Sequence, residues 1–169
     1  MLVVADTSPL NYLVLMQQDT LLPTLYERVM IPPTVHEELQ RPRTPQAVRQ
    51  WVAHPPTWLT VQPPQQSLSR QQFPRLRNGE LEAIPLAQEL HADLLLMDER
   101  DGRRVARDRG LRVTGIIGVL ETAAIRGLID LPSVLAQLQA TTFYASPSLY
   151  DEVLARDAAR KAHRPTDGR

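Results

Sequence analysis

The sequence lacks cysteine, has a single lysine and contains no long apolar run. Without cysteine, the chain can form neither a disulfide framework nor a metal site built on thiolates. No apolar stretch approaches the ~20 residues that cross a bilayer, so we expect no membrane segment. The first predicted strand follows Met1 directly and leaves no room for a secretory signal peptide, so we expect a cytoplasmic protein.

Charge is balanced, with 19 basic and 19 acidic residues. Lysine contributes only Lys161, so arginine supplies the remaining cations. The net charge therefore neither indicates nor excludes a nucleic-acid partner, and the distribution of arginine along the chain has to decide. The length of 169 residues favours one domain with a substantial core.

Short apolar strands alternate with helical segments along most of the chain. This alternation predicts an α/β fold in which a parallel sheet is flanked by helices on both faces. We expect a single domain over residues 1–160 and a frayed tail over residues 161–169. Glutamine, proline and serine dominate residues 62–78, and because such a composition buries little surface, we interpret this segment as a flexible loop.

Two of the apolar strands end on an aspartate. Residues 2–5 precede Asp6, and residues 94–97 precede Asp98. Because parallel strands end at the same edge of a sheet, we expect the two carboxylates to converge if their strands are neighbours. Converging carboxylates repel one another unless a cation lies between them, and Mg²⁺ and Mn²⁺ prefer such oxygen ligands. A metal site is one interpretation, and the other is that Asp6 only caps the following helix.

Three glutamates are further candidates, each with a structural alternative. Glu38 lies beside the apolar face of a short helix, near the end at which the helix dipole disfavours negative charge, but it also suits a solvated surface. Glu80 and Glu82 follow Gly79 at the start of a helix, where the dipole favours acids for purely structural reasons. Pro85 either kinks this helix or marks the start of its regular part.

Arginines form a stripe directly after Asp98. Their spacing of i, i+3, i+4 and i+7 places them on one face of a helix, and such faces bind phosphate backbones. The alternative is a solvated face whose arginines pair with neighbouring acids. The stripe consists of Arg100, Arg103, Arg104 and Arg107.

Five segments, taken in order, carry a resemblance to a known family. They are residues 4–10 (VADTSPL), 31–39 (IPPTVHEEL), 78–84 (NGELEAI), 95–103 (LLMDERDGR) and 110–115 (GLRVTG). No single segment is specific, but their order and spacing resemble those of PIN domains, the fold of VapC-type toxin ribonucleases. The resemblance covers about residues 2–156 and is strongest to a branch of small PIN proteins described only as nucleic-acid-binding proteins.

The resemblance implies four acids around one or two Mg²⁺ or Mn²⁺ ions. Matched position by position to this sequence, the four are Asp6, Glu38, Glu80 and Asp98. Glu82 is the reserve for the third position. Ser8 matches a hydroxyl residue that supports the first aspartate.

The function implied by the resemblance is a divalent-metal-dependent endoribonuclease, the toxin of a toxin–antitoxin pair. Its partners would be an RNA substrate, a cognate antitoxin and a second copy of the chain, and the arginine stripe would hold RNA phosphates. Two alternatives stay open. A PIN-like module that binds RNA or protein without catalysis is disfavoured because all four acidic positions are filled. A metal-dependent phosphohydrolase is disfavoured because Ser8 stands where such enzymes usually have a second aspartate.

Overall fold

A computed structural model describes residues 1–163, which contain five strands and nine helices. The strands are β1 (Leu2–Ala5), β2 (Arg28–Ile31), β3 (Leu59–Val61), β4 (Leu94–Leu96) and β5 (Val113–Thr114). The helices are α1 (Thr7–Leu15), α2 (Leu21–Leu25), α3 (Pro33–Leu39), α4 (Gln46–Ala53), α5 (Asn78–Glu89), α6 (Arg100–Asp108), α7 (Ile116–Ile125), α8 (Leu131–Gln139) and α9 (Pro147–Ala162).

The described strands form one parallel sheet in the order β3-β2-β1-β4-β5. The chain moves outward from β1 to β3 and then returns to the other side of β1 for β4 and β5. Because crossovers between parallel strands are right-handed, this reversal places the connecting helices on both faces of the sheet. The predicted α/β fold is confirmed. The strands β1 and β4 lie side by side at the reversal, where open sheets of this kind bind ligands.

The central strands are buried because their side chains are apolar throughout. Val4 of β1 and Leu95 of β4 are fully buried, and Ile84 and Leu86 of α5 belong to the same core cluster. Each such side chain contributes about 1.5–3 kcal/mol when it leaves water. This packing fixes the carboxyl ends of β1 and β4, from which the chain continues to the two predicted aspartates.

Pro85 lies inside α5, and the helix continues through it. Because proline has no N–H, the carbonyl of Leu81 loses its usual donor within the helix. The backbone N–H of Leu68 donates to that carbonyl instead, at 2.8 Å. The helix therefore begins before its two glutamates, and the segment that precedes it supplies the donor that Pro85 lacks.

Residues 62–77, which include Leu68, form neither helix nor strand. The segment nevertheless contacts its surroundings at several points. Leu76 is buried in the core, the backbone N–H of Gln65 donates to the carboxylate of Glu89, and the Arg109 guanidinium lies 5.5 Å over the Phe73 ring. The flexibility of residues 62–78 stays a prediction.

The chain divides into two compact units, residues 1–116 and residues 117 onward, and the first contains the whole sheet. A single domain over residues 1–160 stays a prediction. Helix α9 extends past the predicted start of the tail at residue 161, and residues 164–169 lie outside the described part of the chain. No helix among the described residues is long and apolar enough to cross a membrane.

Candidate active site

Asp6 lies at the centre of the predicted acid cluster. It follows β1 directly, and its backbone N–H donates to the carbonyl of Leu96 at 2.9 Å, which ties the ends of β1 and β4 together. Its side chain is only 3% exposed. Burial raises the pKa of Asp6 well above its ordinary value, and the negative charges of Glu80, Glu38 and Asp98 raise it further. The structure therefore brings the four predicted acids together at one edge of the sheet.

Gly79 places the start of α5 against two of these acids. Its backbone N–H donates to Glu38 Oε1 at 3.1 Å, and the hydroxyl of Thr7 donates to the other oxygen, Oε2. A Cβ atom on residue 79 would lie 2.8 Å from Asp6 Oδ1 and 2.9 Å from Glu38 Oε2. Because glycine lacks this atom, the two carboxylates can approach one point from β1 and from α3.

Glu80 turns into the cluster, and Glu82 turns away from it. Glu80 is 1% exposed, its Oε2 accepts a hydrogen bond from the backbone N–H of Arg77 at 2.9 Å, and its Oε1 is buried without a hydrogen-bond partner. Burial raises the pKa of Glu80 to about 7, and the charge of Glu99 also raises it. Glu82 accepts hydrogen bonds from the N–H and hydroxyl of Thr34 in the first turn of α3. Of these two glutamates, Glu80 is therefore the one placed to act with Asp6.

Asp98 accepts hydrogen bonds on both of its carboxylate oxygens. The Ser8 hydroxyl donates to Oδ2 at 3.0 Å, and the backbone N–H of Ile116 donates to Oδ1 at 2.8 Å. Burial raises the pKa of Asp98, while these two hydrogen bonds act in the opposite direction. The resemblance implied that Ser8 supports Asp6. In the structure Ser8 donates to Asp98 instead, because the first turn of α1 lies beside the end of β4.

The arginine stripe on α6 does not form one uniform surface. Arg103 is half-buried, and its Nη1 donates to the carbonyl of Met97 at 3.1 Å. Arg100, Arg104 and Arg107 are exposed, and Arg104 lies 3.7 Å from Asp101. Arg103 therefore departs from the predicted exposed stripe, since it lies at the edge of the helix face that turns toward the sheet.

Sequence reasoning missed Thr7 and the glycines that pack against the acids. Besides Gly79, Gly102 approaches Glu80 so closely that a Cβ would lie 3.0 Å from its carboxyl carbon. Gly115 approaches Asp98 and Arg103 in the same way. The signal was available, because each of these glycines belongs to one of the five segments that carry the family resemblance.

The donor set fits a hard divalent cation. The cluster holds carboxylates whose pKa values are raised by burial, and Glu80 has a buried oxygen without a partner. A bound cation would favour the ionised form of these carboxylates and give the Glu80 oxygen a partner. In the described residues, however, no three acidic or histidine side chains are already arranged at ligand distances.

Most of the chain matches a known protein family. A family profile described as a PIN domain matches residues 2–158. Among solved structures, the chain is similar to a PilT N-terminus domain protein from the hyperthermophilic archaeon Sulfolobus solfataricus P2. The two are 19% identical, with 73% of this chain and 93% of that chain covered and a TM-score of 0.48. No curated protein matches the sequence.

Proposed function

Because the chain belongs to the PIN-domain family, whose members are typically nucleases, we propose that it is a divalent-metal-dependent endoribonuclease. The observation that carries this proposal is the convergence of four carboxylates at the carboxyl ends of β1 and β4. Like charges that are crowded and partly buried destabilise a protein unless something offsets their repulsion. A bound cation would do so at this edge of the sheet.

The metal would be Mg²⁺ or Mn²⁺, as one or two ions, and its ligands would be Asp6, Glu38, Glu80 and Asp98. When bound, such a cation polarises a phosphoryl oxygen and lowers the pKa of a coordinated water. Other groups of the chain hold the ligands in place. The N–H of Gly79 and the hydroxyl of Thr7 orient Glu38, and the hydroxyl of Ser8 and the N–H of Ile116 orient Asp98.

RNA binding falls to the exposed arginines of α6 in this proposal. The helix starts two residues after Asp98, so its first turn lies next to the acid cluster. Arg100, Arg104 and Arg107 are exposed along it, so phosphates on either side of the cleaved bond can reach them. We expect these contacts to hold the RNA without selecting its sequence.

We further propose that the protein is the toxin of a toxin–antitoxin pair, that it acts in the cytoplasm and that it forms a homodimer. Support comes from the five segments that resemble VapC-type toxins. Expression of the protein alone should arrest growth, and co-expression of the adjacent reading frame should relieve the arrest. A neighbouring frame for a small protein with a DNA-binding start and a helical tail would support this assignment over a housekeeping nuclease.

A module that binds RNA or protein without cleaving is the second candidate. It rests on the exposed arginines of α6, which would hold RNA whether or not the acids bind a metal. The cleavage experiment separates the two candidates, because both predict RNA binding and only one predicts hydrolysis.

The test measures cleavage and binding of a fluorescent RNA by the wild type, by Asp98→Asn and by the control Asp108→Asn. Asp108 is an exposed acid at the far end of α6. We expect cleavage by the wild type and the control in Mn²⁺ and none in a chelator. Asp98→Asn should lose cleavage and bind RNA equally or more tightly, because a negative charge near the phosphates is gone. Cleavage by Asp98→Asn at the wild-type rate would contradict the mechanism, and binding without cleavage by the wild type would favour the second candidate.

A further inference from the structure

We propose that Arg103 is a positioning residue that holds Asp98 in the acid cluster, in contrast to the exposed arginines of α6 that face RNA. The inference rests on the proposed function, since it assigns a role within the same site. It separates one arginine from a stripe that looks uniform in sequence.

The first observation is the anchor of the Arg103 side chain. Its Nη1 donates to the backbone carbonyl of Met97, the residue between β4 and Asp98. Met97 is fully buried, and its own N–H donates to the carbonyl of Thr114 in β5. The guanidinium is therefore bound to the backbone of the sheet, and one of the two N–H groups of Nη1 is engaged by the Met97 carbonyl.

The second observation is the packing around Gly115. A Cβ on residue 115 would lie 2.8 Å from Arg103 Nη1 and closer still to Asp98 Oδ1. The Arg103 guanidinium and the Asp98 carboxylate therefore both pack against Gly115, which connects β5 to α7. The next residue, Ile116, donates its N–H to Asp98.

Together these contacts enclose Asp98 from three elements of the chain. Ser8 donates from α1, Ile116 donates from the start of α7, and Arg103 lies alongside from α6 with a charge that attracts the carboxylate. Ser8 and Ile116 fix the two oxygens, and Arg103 fixes the strand end that carries the residue. Loss of Arg103 should therefore displace Asp98 without removing any group that contacts RNA.

The experiment compares Arg103→Ala and Arg103→Lys with Arg100→Ala and with a matched control, Arg28→Ala. Arg28 is exposed at the amino end of β2, at the edge of the sheet opposite the acids. For each protein, kcat, RNA affinity at two or more salt concentrations, Mn²⁺ affinity by calorimetry and the melting temperature are measured. The melting temperature confirms that each variant is folded.

For Arg103→Ala, we expect kcat to fall by about 10- to 100-fold, the range found when groups that orient metal ligands are removed. RNA affinity and its salt dependence should not change. Arg103→Lys should recover part of kcat, because an ammonium group can still donate to the Met97 carbonyl. Arg100→Ala should instead weaken RNA binding and lower the salt slope by about one, with kcat preserved. Arg28→Ala should match the wild type.

A lower salt slope and unchanged kcat in Arg103→Ala would overturn the inference and return Arg103 to the RNA-binding surface. A lysine variant no better than the alanine variant would overturn the role of the Met97 hydrogen bond. If the wild type cleaves no RNA, the proposed function fails, and Mn²⁺ affinity tests the inference alone. Arg103→Ala should then bind Mn²⁺ about 10- to 100-fold more weakly although it has lost a positive charge. Equal or tighter Mn²⁺ binding would overturn the inference.

Discussion

The acid cluster has two halves that differ in how their negative charge is offset. In the Gly79 half, which consists of Asp6, Glu38 and Glu80, three carboxylates surround the start of α5. Of these, Glu38 accepts hydrogen bonds on both oxygens and lies 3.9 Å from Arg41, but one buried oxygen of Glu80 has no partner. In the Asp98 half, a single carboxylate accepts hydrogen bonds on both oxygens and lies beside an arginine. The chain thus offsets the charge of Asp98 with its own groups and leaves the charges of Asp6 and Glu80 in the Gly79 half largely uncompensated.

This difference indicates where a cation would be needed most. Buried carboxylates without a counter-charge tend to take up protons, and the raised pKa values of Asp6 and Glu80 show this tendency. A divalent ion bound to the Gly79 half would replace those protons. Asp98, which is already held in position, would then complete the ligand set from the neighbouring strand.

The largest expected effect comes from Asp6→Asn. This substitution removes the central carboxylate of the Gly79 half, so RNA cleavage and Mn²⁺ binding should both be lost. The metal-free variant should be more stable than the wild type by about 1 kcal/mol, because the other acids lose a buried negative neighbour. Calorimetric titration with Mn²⁺ and thermal unfolding in a chelator measure the two effects. Asp151→Asn, in an exposed position on α9, is the control, and Mn²⁺ binding by Asp6→Asn equal to that of the wild type would remove Asp6 from the site.

The second prediction concerns the pH dependence of the metal-free protein. The pKa of Glu80 is about 7 in the folded protein, against an ordinary value of 4.5. Between these two values the folded state binds more protons than the unfolded state, so stability falls as the pH rises through this window. For Glu80 alone the loss amounts to roughly 3 kcal/mol.

Denaturant unfolding at several pH values in a chelator checks this prediction. Glu80→Gln should flatten the pH dependence between about pH 4.5 and pH 7, whereas Glu82→Gln should retain it because Glu82 caps α3 outside the cluster. Saturating Mn²⁺ should reverse the trend, since metal ligands must be deprotonated. A wild-type protein whose stability rises steadily across this range would show that ionised carboxylates in the Gly79 half do not destabilise the folded protein.

The third prediction tests how tightly the Gly79 half is packed. Gly79→Ala places a Cβ within 3 Å of oxygens of both Asp6 and Glu38, so at least one carboxylate must move. We expect cleavage to fall by about 10- to 100-fold, as for other changes that disturb the orientation of metal ligands. Circular dichroism and the melting temperature confirm that the variant folds. Full activity of Gly79→Ala would mean that these carboxylates have room to rearrange.

The sequence predicts the sheet and two of the acids directly. Asp6 and Asp98 each follow a short run of apolar residues, and a parallel sheet brings the ends of such strands to one edge. Glu38 and Glu80 could not be chosen by this reasoning. Each occupies a helical position that also suits a surface acid, and only the resemblance to PIN domains selected them. Their convergence depends on how α3 and α5 pack against each other, which periodicity does not specify.

Two other features needed the tertiary structure. From the sequence, Pro85 either kinks the helix that carries Glu80 or marks the start of its regular part, and the Gln/Pro-rich segment is interpreted as a flexible loop. The structure relates them, because the N–H of Leu68 in that segment satisfies the Leu81 carbonyl that Pro85 leaves without a donor. Arg103 was assigned to an exposed stripe because helical spacing identifies a face but not which edge of that face is buried.

The smallest expected effect comes from Ser8→Ala in the Asp98 half. The substitution removes one donor from Asp98, but the N–H of Ile116 still holds the other oxygen and Arg103 still holds the end of β4. A hydrogen bond of this kind contributes about 1 kcal/mol, so cleavage should fall by about fivefold.

Thr7→Ala is the matched change in the Gly79 half, where it removes the hydroxyl that donates to Glu38. It should have the larger effect, because the arginine beside Glu38, Arg41, is exposed and lies 3.9 Å away, whereas Arg103 is half-buried and hydrogen-bonded to the end of β4. Cleavage rates of the two variants at saturating RNA and Mn²⁺ decide the order. A greater loss in Ser8→Ala than in Thr7→Ala would reverse the comparison and make Asp98 the more weakly held half of the site.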